Sequence, residues 1–545
     1  MRNGALIGAI FFLLLIAGSA YGVADQSLRT RAESTNFEET SRYDDVMGFI
    51  GQLQERSPLV HVETFGKTRE GRALALMVLA DPPVASPRQA GESGRPVVFI
   101  MANIHAGEVE GKEASLNLAR RLLTGDLQPL LKKLVILIAP DYNADGNERI
   151  STSNRVAQNG PIGGVGIREN AQGLDLNRDY IKAVAPETEA LLHLFNQWDP
   201  TLVVDLHTTD GSYHGYHLTY SIPLSPNTDA NLARYHRDVM MPALAEAMRS
   251  KHKFRTYYYG NFEGSPAREG QPDTRSWHAF SPAPRVGTNY VGLRNRLAIL
   301  SEAYSYLDFK GRIEVTEAFV EEIFNYAAGH GQEILRLTAQ ADRAAAARAG
   351  FDLGVDCQPV ALPDKVEILV GEVTKIKNPR SGRMMTAVVP DKVTPVAMLD
   401  YGSFAPTRKI ASGRAYLIAD TPNTKIVIEK LKTHGVVVEQ LPAALKAEAQ
   451  VLVIGKIIHT GRAFLGGREV KVSGSYQTRM IEYPAGTTIV RVSQPLGTLA
   501  AYLLDPESDD GLTTWGFFDS DLAVGKPHPV SKLAQPRSLQ AQPVR

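Results

Sequence analysis

Between about Glu38 and Gly350, short runs of consecutive apolar residues alternate with stretches in which apolar positions recur every three or four residues. The runs "RPVVFIMANI", "KKLVILIAPDYN", "TLVVDLHTT" and "RLAILSEAYS" are too short for buried helices and predict strands covered on both faces. Between them, "EGKEASLNLARRLLTG" keeps Ala and Leu on one face and stops at Gly125, a suitable helix end. Further helices are predicted for "APETEALLHLFNQW" and "NTDANLARYHRDVMMPALAEAMRSKH", and a long closing helix for the segment from Arg312 to Gly350. Strands alternating with helices argue for an α/β domain with a largely parallel or mixed sheet flanked by helices.

After "GFDLGVDCQPVALPDK" the pattern changes to short Val-, Ile- and Thr-rich segments broken by Pro, Gly and charged turns. This predicts a second, smaller β-rich domain over residues 351–525, with little helix. The Pro-, Gln- and Ser-rich residues 526–545 read as a disordered tail. At the other end, "MRNGALIGAIFFLLLIAGSAYGVADQ" has one early positive charge, an apolar run and small residues suited to cleavage near Gly22 or Ala24. Residues 1–24 are therefore expected to be a signal peptide, the α/β domain to span 25–350, and the protein to be secreted or periplasmic, with no stable membrane insertion after cleavage. A signal anchor is the alternative, because the apolar stretch approaches spanning length.

Composition narrows the chemistry. Lys plus Arg and Asp plus Glu number 59 each in 545 residues, so no net charge or basic stripe points to nucleic acid. Cys357 is the only cysteine, so no intrachain disulfide can form and any metal must be held by His, Asp or Glu. Cys357 itself is read as packing filler.

His105 and Glu108, in "NIHAGEVEGKEA", follow directly on a predicted buried strand, at the end where open α/β sheets place their sites. Catalytic zinc commonly takes two His and one Glu and leaves a position for water. His207, in "TLVVDLHTTD", ends another such strand and can supply the third ligand. "GLDLNRDY" sets Asn177 beside Arg178, an amide and a guanidinium able to grip a carboxylate. "LAILSEAYSY" places Glu302 at the end of a further apolar strand, where burial would raise its pKa toward a value useful to a general base. His214 and His217 are read as a polar loop beside the site, and "TYYYG" at Thr256 to Gly260 as β-structure packing.

In co-linear order, "SRYDDVMGFIGQL", "VETFGKTREGRAL", "NIHAGEVEGKEA", "PDYNADGNER", "GLDLNRDY", "APETEALL", "VVDLHT" and "LAILSEAYS" resemble the carboxypeptidase A-like zinc metallocarboxypeptidases over residues 35–312. The resemblance implies a carboxypeptidase-like mixed sheet and one Zn²⁺ per chain held by His105, Glu108 and His207. It implies Glu302 as general base, Asn177 and Arg178 as the grip on a peptide's free C-terminus, and Asp175 as a partner orienting a metal-ligating histidine. Arg168 matches the arginine that stabilises the oxyanion, with Arg155 or Arg149 as alternatives, and Tyr290 is the candidate for the family's mobile tyrosine, with a structural aromatic as the alternative. Two departures stand out: Ala106 replaces the usual proline, and Asp179 follows Arg178 where asparagine is common, a carboxylate expected either to neutralise that arginine in part or to welcome a cationic group. The implied activity is hydrolysis of the C-terminal peptide bond of peptides or proteins. Alternatives on the same fold are a deacylase of N-acyl amino acids and a carboxypeptidase specific for wall peptides; a non-catalytic secreted binding protein is the reading from another class, against which Glu302 argues.

Overall fold

The computed structural model describes residues 28–209, 211–269, 271–460, 467–533 and 542–543. The expected signal peptide, residues 1–24, lies outside them. The largest sheet has eight strands: β1 (Val60–Lys67), β2 (Ala73–Leu79), β3 (Val97–Ala102), β4 (Val135–Ala139), β5 (Leu202–Thr209), β6 (Leu218–Ser221), β7 (Thr256–Tyr258) and β8 (Leu297–Tyr304). Across the sheet they run β1-β2-β4-β3-β5-β8-β6-β7. The central strands β4, β3, β5 and β8 are mutually parallel, so their C-terminal ends share one edge. β1 and β2 pair antiparallel on one flank, and β6 runs antiparallel to β8 on the other. The mixed α/β sheet agrees with the architecture expected from the alternating pattern.

The central runs are apolar throughout because both faces are covered. In β3, Val97, Phe99 and Met101 enter one core cluster while Val98, Ile100 and Ala102 enter another, the alternation that a pleated strand imposes. The second cluster lies under helices Tyr43–Arg56, Glu110–Thr124 and Phe309–Ala347. The helix expected over residues 227–252 is interrupted: Ala230–Tyr235 passes through a π turn, His236–Met240, into Met241–Lys251. Pro242 lacks an N–H for the preceding turn, and the widened turn accommodates it.

From residue 351 the chain is β-rich, as expected, but it also forms helices Thr424–Thr433 and Gly497–Leu504. The second of these, "GTLAAYLL", is buried on every side and so has no amphipathic period to read. The expected tail is corrected as well. Pro527–Leu533 is a strand between Leu445–His459 and Ala415–Ile418 in a seven-stranded sheet, and His528 to Leu533 are buried. Pro529 fits there because it supplies only a carbonyl, to the Ala419 N–H.

The hydrophobic core does not divide at the expected 350/351 boundary. One cluster joins Phe195, Trp198 and Tyr290 to Leu431, Val436 and Leu499. Polar contacts follow the same seam: Lys430 Nζ donates to the Ala183 carbonyl at 2.5 Å, and Arg294 to the His434 carbonyl at 2.8 Å. Among the described residues, no helix is long and apolar enough to cross a membrane.

A shared core predicts shared unfolding. Leu431 is fully buried, so Leu431→Ala should cost about 2–5 kcal/mol and shift a single calorimetric transition of the whole protein. Two resolved transitions, with only one of them shifted, would show that the halves fold independently.

Candidate functional site

Strand register builds the site. In the parallel pairing of β5 with β8, Glu302 lies directly opposite His207, both at the C-terminal edge. Alternation along each strand carries His207 and Thr209, and Leu300 and Glu302, into the same cavity. β3 ends at Ala102, one strand over from β5, and its following loop brings His105 and Glu108 to that edge. Asn103 makes the bend possible: it adopts φ 65°, and its amide donates to Asp141 at 2.6 Å. Gly111, early in the following helix, lies so close to β5 that a Cβ there would be 2.6 Å from Leu206 Cβ.

His105, Glu108 and His207 are all buried, and one donor atom from each lies within 4.8 Å of the others. Glu108 sits between the two rings, with Oε1 3.1 Å from His105 Nδ1 and Oε2 2.8 Å from His207 Nδ1. A carboxylate stands behind each imidazole: Asp175 Oδ1 is 3.0 Å from His105 Nε2, and Asp205 Oδ2 is 2.9 Å from His207 Nε2. Burial alone would raise the Glu108 carboxyl, but the charges of His105 and Arg155 and hydrogen bonds from both imidazoles hold it well below the usual carboxylate range. An ionised carboxylate between two histidines backed by carboxylates is a donor set that fits a metal ion.

The remaining expected residues divide clearly. Arg168 lines the cavity and forms a bidentate pair with Asp175 Oδ2, at 3.0 Å from Nε and 2.7 Å from Nη2. Of the two alternatives to it, Arg155 also lines the cavity and donates to Glu108 Oε1 at 2.8 Å. Arg149 instead pairs with Glu70 away from the site. Asn177 and Arg178 both line the cavity. Asn177 is anchored by the Gly287 N–H on its Oδ1 at 3.0 Å, and Arg178 Nη1 donates to the Asn177 carbonyl at 2.8 Å. Glu302 is pushed up to about 8, first by burial and then by the neighbouring carboxylates of Glu108, Glu110 and Asp205, against the opposing charge of His207.

Two expectations are corrected. Tyr290 is absent from the cavity: it is fully buried at the seam, in the helix Gly287–Leu293, with its hydroxyl 2.8 Å from His434 Nδ1 of the second half of the chain. Asp179 does not neutralise Arg178. It turns inward to accept the Val184 and Ala185 N–H groups at 3.0 and 2.9 Å, closing a local turn, and burial raises its pKa to about 6. His214 is buried and stacked on Tyr304 at 4.1 Å, outside the donor cluster. Sequence reasoning missed Asp205, although it stands two residues before His207 and therefore on the same face of β5. It also missed Phe280, and it read Tyr259, within "TYYYG", as packing, whereas both side chains line the cavity.

Comparison with known proteins gives a consistent picture. Residues 46–283 match the family model described as zinc carboxypeptidase. Carboxypeptidase 2 of Trichophyton equinum is 21% identical over 509 residues, covering 90% of this chain and 86% of its own length. Carboxypeptidase 2 of Trichophyton rubrum is 21% identical over 515 residues, with 90% and 86% coverage. Among solved structures, a metallo-carboxypeptidase from Burkholderia cenocepacia is 18% identical with TM-score 0.39, over 52% of this chain and 69% of that one.

If these three side chains form the metal centre, His207→Ala should leave the purified protein with well under one equivalent of bound metal after loading and dialysis. Full occupancy in that variant, read by elemental analysis, would refute the ligand set.

Proposed function

Because residues 46–283 belong to the zinc carboxypeptidase family of peptide hydrolases, we propose that this protein is a zinc-dependent metallocarboxypeptidase that removes the C-terminal residue of peptides. The observation that carries the reading is the convergence, in one cavity, of the buried His105, Glu108 and His207 donors with Glu302 and the Asn177–Arg178 pair. His105, Glu108 and His207 would hold the zinc, whose Lewis acidity acidifies water and stabilises negative charge on a carbonyl oxygen.

The chain's own groups supply the rest. The guanidinium of Arg178, supported by the anchored amide of Asn177, offers paired donors to a terminal carboxylate and so sets the last peptide bond at the metal end of the cavity. Glu302 stands opposite His207 at that end, with a pKa raised to about 8 by burial. In its carboxylate form this group can take a proton from the attacking water and return it to the leaving amine. Arg168, fixed on Asp175, presents positive charge toward the carbonyl oxygen as it becomes anionic. Asp175 and Asp205 keep the two imidazoles oriented. The apolar N-terminal segment supports export of the enzyme.

Glu302→Gln should keep the fold and bound zinc while lowering turnover by about 10²- to 10⁴-fold, because the amide cannot accept the proton. Unchanged kcat would sink the proposed proton transfer. For the carboxylate grip, a charge-assisted contact contributes about 1.5–3 kcal/mol, so Arg178→Ala should lower kcat/KM by one to two powers of ten. Amidating the substrate's C-terminus should give a similar loss in the wild type and little more in the variant. Equal cleavage of free and amidated peptides by the wild type would rule out C-terminal specificity and favour a deacylase or a wall-peptide enzyme.

A further inference from the structure

Arg155 reaches the cavity from a loop that has no regular secondary structure to hold it. Its backbone is left-handed, with φ 49°, a conformation that side-chain-bearing residues keep only when their surroundings impose it. Its side chain crosses Gly107, where a Cβ would stand 2.9 Å from Arg155 Cγ, and ends on Glu108 Oε1. Gly107 therefore leaves the passage through which this guanidinium enters the site.

The loop is gripped from outside the family-matched residues. Strands Val366–Lys377 and Met384–Met398 form an antiparallel hairpin. Asn378, at its turn, is fully buried. Its Oδ1 closes the turn by accepting the Arg380 and Ser381 N–H groups at 2.9 and 3.0 Å. Its Nδ2 donates outward to the carbonyls of Val156 and Gln158, both at 2.9 Å. Arg380 Nη2 donates to the carbonyl of Arg155 itself. The hairpin is in turn tied to the catalytic half by Gly371 N to the Tyr213 carbonyl and Gly215 N to the Leu369 carbonyl, at 3.0 and 2.8 Å. Three loop carbonyls, those of Arg155, Val156 and Gln158, are thus satisfied by two side chains of one distant turn.

From this geometry we infer that the Asn378–Arg383 turn is a positioning element of the active site: it holds the Arg155 loop so that the Arg155 guanidinium stands beside Glu108 and meets the substrate as a second cation besides Arg168. The inference rests on the peptidase reading of the cavity. Asn378 and Arg380 touch no substrate; they act through Arg155. The β-rich half is then part of the catalytic apparatus although every cavity-lining residue comes from the first half.

The test uses the full-length, zinc-loaded protein and three substitutions. Asn378→Asp keeps the acceptor that closes the turn but loses the donors to Val156 and Gln158; Arg380→Ala removes the donor to Arg155; Arg155→Ala removes the guanidinium. Limited trypsin digestion should cut after Arg155 at least about tenfold faster in Asn378→Asp and Arg380→Ala than in the wild type, with zinc content unchanged. On a peptide with a free C-terminus, each of the three should lower kcat/KM about ten- to a hundredfold, mainly through kcat. Arg155→Ala combined with Asn378→Asp should be no worse than Arg155→Ala alone. Arg380→Lys, which retains a donor, should recover most of the loss. Should Asn378→Asp lose zinc or fold, the Arg380 pair of variants decides the matter. Unchanged trypsin sensitivity, a fully active Arg155→Ala, or losses that add in the double variant would each overturn the inference. Failure of the wild type to release any C-terminal residue would instead refute the peptidase reading, and the digestion arm would still decide whether the turn holds the loop.

Discussion

A buried carboxylate at Glu108 is the constraint around which the rest of the site is arranged. Removing an ionised carboxyl from water is costly unless opposite charge and hydrogen bonds replace the lost solvation. Here the replacements are the rings of His105 and His207 and the guanidinium of Arg155. Each of these is itself held. Asp175 and Asp205 back the two imidazoles, Arg168 locks Asp175, and Gly107 gives Arg155 its passage. Partners of opposite character thus alternate outward from Glu108: the two imidazoles and Arg155 contact it, Asp175 and Asp205 stand behind the imidazoles, and Arg168 holds Asp175.

The sheet makes this arrangement inexpensive in backbone terms. Parallel strands expose their C-terminal ends along one edge, and register alone sets His207 beside Glu302 without any long loop having to order. Side chains that begin on rigid strands lose little further freedom on being positioned. The groups that come from irregular segments, Arg155 and Arg168, need other restraints: a distant hairpin for the first, and for the second one oxygen of Asp175 that accepts from two of its guanidinium nitrogens.

The seam between the two halves has the same character. Tyr290, Arg294 and His434 form a buried polar knot, and Arg285 is fixed by Asp510 and Glu469 next to Val286, which lines the cavity. His434 is held well down, to about 3, by burial, so it meets Tyr290 as a neutral ring. Shared apolar core and buried polar contacts bind the β-rich half to the floor and wall of the cavity, which explains why the core cannot be cut at residue 350.

The amino-acid sequence by itself determined the alternating strands and helices, the strand-end positions of His105, Glu108, His207 and Glu302, and the Asn177–Arg178 pair, because those features are local: an apolar run and the residue that ends it are read together. It did not reveal the strand at Pro527–Leu533 or the helix at Gly497–Leu504, since a segment buried on all sides carries no periodicity. Nor could it assign Tyr290 to the seam, turn Asp179 away from Arg178, or select Arg155 over Arg149 as the arginine beside Glu108. Each of those outcomes depends on a partner far away in the chain, His434 for Tyr290 and the Asn378–Arg383 turn for Arg155, or on which way a loop folds to satisfy its own amides, as at Asp179. Only the tertiary structure decides contacts of that kind, because burial and hydrogen-bond satisfaction are properties of the packed chain and not of any single stretch of it.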